Sequence, residues 1–144
     1  MIRSLPILAL AACFALPAAA SDTAAIEQVM TEFHQAVVSH DGETLKSFFL
    51  PQAAWFNVLA DSGKLRPGSY QDFAALVSQS NADIDPRHTD VEIRSDGTVA
   101  SAWFTFHFMM GGKETNRGSE TWQLVRTEQG WKIASLAYSS NPVR

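Results

Sequence analysis

GTVASAWFTFHFMMGGKETNRGSETWQLVRTEQGWKIASLAY, residues 97–138, reads as consecutive strands joined by tight turns. The expected strands are Val99 to Met110, Glu114 to Thr127 and Trp131 to Tyr138. In each, side chains change character with a period of two, as half-buried strands require. Gly111-Gly112 supplies the positive backbone angles that a two-residue hairpin needs, and Gln129-Gly130 marks the next turn, with a bulge. Strands this long twist and curve, and a curved sheet must fill its hollow.

Upstream, period two continues back through Asp96-Gly97, a further hairpin turn, to His88. Before that the period is helical. Ala25, Ile26, Val29, Met30, Phe33, Val37 and Val38 share one face of a helix expected over Thr23 to His40. A short helix from Glu43 to Phe49 follows and stops at Pro51. Ala53 to Ala60 reads as a strand, and Ser69 caps a third helix running to about Ser80. Asn81 to Arg87, with Asp85-Pro86, reads as a loop. The expected class is α+β: a cone-shaped, curved antiparallel sheet, an α+β barrel, wrapped around N-terminal helices.

Tracing the hairpins without bulges gives the sheet two distinct faces. Pairing Ser95 with Thr98 sets Arg94 opposite Val99, Glu92 opposite Ser101 and Asp90 opposite Trp103. Pairing Met110 with Lys113 sets His107 opposite Asn116, Thr105 opposite Gly118 and Trp103 opposite Glu120. One face then carries Ser101, Trp103, Thr105, His107, Asn116, Glu120 and Trp122, and the other carries Phe104, Phe106 and Phe108. Polar groups among aromatics suit a ligand pocket, which leaves the Phe stripe for a homodimer interface. In the inverted arrangement the Phe stripe packs on the helices, and the mixed face meets water or a partner.

Residues 1–20 have the grammar of an export signal: Arg3, an apolar run from Leu5 to Leu16, then Ala18-Ala19-Ala20. Cleavage after Ala20 leaves one domain, residues 21–144, exported to the periplasm or secreted. The apolar run is too short to cross a bilayer. Leu10-Ala11-Ala12-Cys13 also fits a lipoprotein box, a competing minor reading that would lipidate Cys13. Cys13 is the single cysteine, so the domain has neither disulfide nor thiolate metal site. With 11 Lys and Arg against 15 Asp and Glu, and no basic cluster, the chain is a poor nucleic-acid binder.

The order of elements resembles the nuclear transport factor 2-like superfamily, specifically its bacterial SnoaL-like and lumazine-binding-like exported members. Ser39-His40-Asp41-Gly42, Asp96-Gly97-Thr98-Val99-Ala100 and Gly130-Trp131-Lys132-Ile133 carry the resemblance. It implies a pocket between the sheet and the first helix, and often a dimer through the sheet. Members include isomerases, dehydratases, cyclases and non-catalytic binders, so the fold leaves function open. In the steroid isomerase branch the proton-shuttling carboxylate matches Asn57, which cannot carry a proton, and the hydrogen-bonding Tyr matches Phe33. The branch's second acid matches Glu120, which favours the mixed face as the pocket lining.

Glu120 is thus the leading candidate: between Trp103 and Trp122 its carboxyl would be desolvated and poised as an acid. The competing reading is a rim carboxylate paired with Arg94 or Lys132. His107 beside Asn116 is the second catalytic candidate, able to orient a carbonyl or accept a proton. His88, opposite Thr105, could join it, but two His without a further ligand do not make a metal site. Trp103, Trp122, Asn57, Trp55, Asn116, Phe33, Met30 and His34 are candidate ligand contacts. No phosphate loop, nucleophile motif or cofactor motif is present in the sequence. The expected activity is binding of a small, partly apolar molecule. A cofactor-free acid–base enzyme and a protein-interaction module are the alternatives.

Overall fold

The structure, a computed structural model, describes residues 18–143. The candidate signal segment up to residue 17, with Cys13, lies outside the described residues. Helix α1 (Ala18–Val38) leads to a short α2 (Gly42–Ser47), strand β1 (Phe49–Leu59), a two-residue β2 (Leu65–Arg66) and α3 (Tyr70–Gln79). Four long strands follow: β3 (Ile84–Ser95), β4 (Val99–Met110), β5 (Lys113–Thr127) and β6 (Gly130–Pro142). The six strands form one sheet in the order β2-β1-β6-β5-β4-β3, antiparallel except where β1 runs parallel to β6. This is the expected α+β class.

Local chemistry explains the turns and caps. Gly111 and Gly112 take φ of 57° and 77°, the left-handed conformation of a tight hairpin. Asp41 caps α2 by accepting from Thr44 N–H at 2.9 Å, and Ser69 caps α3 by accepting from Asp72 N–H at 3.1 Å. Gly42 lies where α2 meets α3; a Cβ there would stand 2.1 Å from Ser78 Oγ and 2.5 Å from the Ala74 carbonyl oxygen. At the start of α1, buried Asp22 pairs with Arg126 and accepts from Ser95 Oγ, while Arg126 Nε donates to the Gly97 carbonyl.

Helix α1 runs from Ala18 to Val38 rather than Thr23 to His40, and two strands also differ from the sequence reading. The segment read as a loop around Asp85-Pro86 is the start of β3. Pro86 sits in a strand because β3 is a sheet edge, where a missing N–H costs no ladder bond. β1 begins at Phe49, so the residues around Pro51 are extended, and the β1–β6 register is irregular there.

The larger correction concerns register. In β5 the hairpin pairs Met110 with Lys113 as expected, but Phe108 faces Asn116 while Met109 faces Glu114. One extra residue, Thr115, is therefore bulged out, its hydroxyl bonding the Phe108 carbonyl at 3.1 Å. Every later β5 residue moves to the other face. His107 faces Arg117, Thr105 faces Ser119, and Trp103 faces Thr121; Phe104 faces Glu120 and Phe106 faces Gly118. A second bulge, at Asp90 with φ of 54°, shifts β3 against β4. The turn at Asp96-Gly97 is also wider than expected, pairing Ser95 with Ala100 rather than Thr98, and so Arg94 with Ser101 and Glu92 with Trp103; beyond the bulge His88 faces Phe106 rather than Thr105.

The expected face assignment is thus overturned. Phe104 and Phe106 are buried in the core beneath the helices, with Trp122, Leu124, Ile133 and Leu136. They cannot form a dimer interface. Trp103 and His107 lie on the outer face, away from Glu120, Asn116 and Trp122. The hydrophobic benefit decides the matter, because burying each Phe gains about 2–3 kcal/mol.

Candidate functional site

With this register, residues from four strands align across the concave face. Phe104 on β4, Glu120 on β5, Tyr138 on β6 and Asn57 on β1 are successive lateral partners. The neighbouring row is Ala102, Trp122, Leu136 and Trp55. Helices α1 and α3 close over these rows and leave a cavity of about 200 Å³. Its walls are aromatic: Phe33 from α1, Phe73 from α3, Trp55, Phe106, Phe108 and Tyr138. Phe33 anchors the arrangement, 4.9 Å from the Trp122 ring and stacked 6.4 Å from Phe73.

Three polar side chains reach this lining from the sheet: Asn116, Glu120 and His88. Glu120 Oε1 accepts a hydrogen bond from Trp122 Nε1–H at 2.6 Å. Desolvation outweighs that bond and raises the carboxyl from 4.5 to about 7. Glu120 pairs with neither Arg94 nor Lys132; Lys132 Nζ donates instead to the Ser47 carbonyl. His88 packs 4.5 Å from Phe104 and edge-on to Trp122, and burial lowers its imidazole to about 4, with a smaller contribution from the field of His34. His88 is therefore neutral at pH 7. Burial also raises the Tyr138 phenol, and the charge of Glu120 pushes it the same way.

An open groove of about 500 Å³ adjoins the cavity on the α1–β3 side. Met30 and His34 line this groove rather than the cavity. His34 Nε2 donates to Asp85 Oδ1 at 2.9 Å, and Arg87 Nε donates to Asp85 Oδ2 at 2.8 Å. These two bonds, His34 first, hold the Asp85 carboxyl below its usual range.

The remaining sequence candidates are placed as follows. Phe33, Trp55, Asn116 and Glu120 line the cavity, and Trp122 lies buried behind Glu120. Asn57 extends the polar row past Tyr138, and its Oδ1 is buried with no hydrogen-bond partner among the described residues. His107 and Trp103 are brought to no site with Glu120: His107 Nδ1 contacts Glu114 Oε1 at 2.6 Å on the outer face, and Trp103 is 53% exposed. Sequence reasoning missed Tyr138, although its spacing from Leu136 puts both on one face of β6. It also missed the Asp85 and Arg87 pair, hidden by reading Pro86 as a loop signal. Among the described residues, no cluster of three or more His, Cys, Asp or Glu is placed to hold a metal ion.

The curved sheet covered by N-terminal helices is the nuclear transport factor 2-like fold, also described as a cystatin-like fold. Within it, the chain belongs to the SnoaL-like domain family, which matches residues 26–143. A nuclear transport factor 2-like protein of unknown function from Shewanella baltica superposes with a TM-score of 0.69 at 22% identity, covering 86% of this chain and 97% of that one. A related protein from Methylobacillus flagellatus gives 0.62 at 23% identity, over 84% and 93% of the two chains. A candidate scytalone dehydratase from Novosphingobium aromaticivorans gives 0.68 at 15% identity, over 85% of each chain. No protein of curated function matches the sequence.

Proposed function

We propose that the protein binds a small, largely apolar ring compound in the aromatic cavity, with Glu120 as its hydrogen-bonding partner. The observation that carries this reading is Glu120 itself: a carboxyl raised to about 7 on the wall of an aromatic hollow. As a neutral acid it donates to a ligand oxygen; as an anion it accepts. A cavity of about 200 Å³ is smaller than the roughly 300–1,000 Å³ of drug-sized sites, which selects a single ring or compact bicycle.

Butylbenzene is a suitable probe. Its titration should shift the indole N–H resonances of Trp55 and Trp122. Leu76→Trp, on an exposed α3 position at the cavity edge, should block it. Binding that leaves both indoles unmoved, or that survives Leu76→Trp, refutes the cavity reading.

A second reading, acid–base catalysis, draws on the same carboxyl, because an acid near neutrality exchanges its proton readily at working pH. Loss of turnover in Glu120→Gln with ligand affinity kept would favour it.

Two further expectations belong to this proposal. Export of the chain is proposed from the pattern of residues 1–20 alone; cleavage after Ala20 would remove the first three residues of α1 and keep Asp22, which Arg126 and Ser95 hold. Intact mass of the protein from the cell envelope tests cleavage after Ala20 against lipidation of Cys13. Homodimerisation is reassigned to the outer face, where exposed Trp103 and Phe56 stand among short side chains such as Ser101, Thr105 and Thr121.

A further inference from the structure

The open groove beside the aromatic cavity carries polar groups that the cavity reading does not use. Pro86 and His88 line both hollows, so a ligand leaving the cavity passes over these two residues into the groove. The groove's functional cluster is His34, Asp85 and Arg87, contributed by α1 and the edge strand β3. Both Asp85 oxygens are engaged, one by His34 Nε2 and one by Arg87 Nε. The acid is thereby committed to orienting its neighbours.

The valences left over define the complement. Neither terminal guanidinium nitrogen of Arg87 has an acceptor among the described residues, and His34 Nδ1 has no partner there either. The guanidinium offers a planar set of donors to an acceptor oxygen. His34 Nε2–H, held on the other Asp85 oxygen, fixes the carboxylate that aims the guanidinium. The charges limit what the acceptor oxygen belongs to. Arg87 is already offset by Asp85, and Glu27 adds an exposed carboxylate to the lining. An anionic arm would meet net negative charge, whereas a neutral carbonyl would meet free donors.

We propose that the groove is a second subsite of the same binding site, and that the ligand is a ring compound whose side arm ends in a neutral carbonyl received by Arg87. This inference rests on the ring occupying the aromatic cavity. It makes Pro86 and His88 the sill between a dry half and a polar half.

Paired probes separate the two halves: butylbenzene, and 4-phenyl-2-butanone, which keeps a phenyl ring on a four-carbon arm and adds a ketone. The expected result with the full-length folded protein is that the ketone binds about tenfold more tightly, the effect of one hydrogen bond to a charged donor. Arg87→Met, alone or with His34→Phe, should abolish that advantage, and His34→Phe alone, which releases one side of the carboxylate that aims Arg87, should reduce it, with butylbenzene affinity unchanged. Both positions are partly exposed, and unchanged butylbenzene affinity verifies the fold. If butylbenzene binds but the ketone has no advantage, or keeps it in the double variant, the subsite is overturned and the cavity stands. If 4-phenylbutanoate binds more tightly than the ketone, the neutral arm is overturned. If no probe binds, the cavity reading fails and this inference fails with it.

Discussion

Glu120 and His88 pull stability in opposite directions over the same pH range, and separating them tests the electrostatics of the cavity. Burial raises Glu120 from 4.5 to about 7 and lowers His88 from 6.5 to about 4. For Glu120 the native state keeps a proton that the unfolded chain has released. Its contribution is complete below about 4.5 and lost as pH rises through about 7. For His88 the unfolded chain holds the extra proton. That contribution is complete above about 6.5 and lost as pH falls through about 4. At about 1.4 kcal/mol per pH unit, each displacement is worth about 3 kcal/mol. Between about 4.5 and 6.5 the two slopes cancel, and the native protein gains little from either. Glu120→Gln keeps an acceptor for Trp122 Nε1–H and removes only the titration. Urea denaturation from pH 4.5 to 7.5 should show the variant gaining about 3 kcal/mol on the native protein, on the order of 10 °C in Tm. His88→Phe should do the reverse, leaving stability that falls with rising pH. Other titrating groups are common to both proteins and drop out of the difference. A difference that stays constant across the range refutes the claim that Glu120 is desolvated.

Gly42→Ala should cost about 2 kcal/mol in chemical denaturation, and adding Ser78→Ala should recover only part of it, because the Ala74 carbonyl is backbone and cannot step aside. Arg126→Met should destabilise by about 3 kcal/mol, since it strands the buried Asp22 carboxylate; Asp22→Asn in the same background should restore part of the loss. Trp103→Asp should leave the fold intact and lower the solution mass to that of a monomer in sedimentation, whereas an unchanged dimer would remove the outer face from consideration.

The fold was legible because its signals were local and repeated. Period two across Val99 to Met110, paired glycines at 111 and 112, and the helical stripe from Ile26 to Val37 each report burial directly. The site was less legible because it depends on parity. Thr115 occupies one extra place in β5, and no residue type announces a bulge there. That single step moved Glu120, Asn116 and Trp122 from the company of Trp103 to that of the three Phe. Glu120 was found because a lone acid among aromatics stands out under either register. Tyr138 and Arg87 stay hidden in the sequence, since what marks them is the neighbour brought from a distant strand or helix.

The parallel pairing of β1 with β6 has a consequence for the order of folding. Hairpins β3–β4, β4–β5 and β5–β6 close short loops, but apart from the two-residue β2, β1 finds its sheet neighbour only in the last strand of the described chain. Closing that loop costs entropy that local contacts cannot offset in advance. A nascent chain that has reached α3 therefore holds a long strand with only the two residues of β2 beside it. Assembly of the full sheet must wait for residues 130–142, so the aromatic hollow is among the last features to take shape.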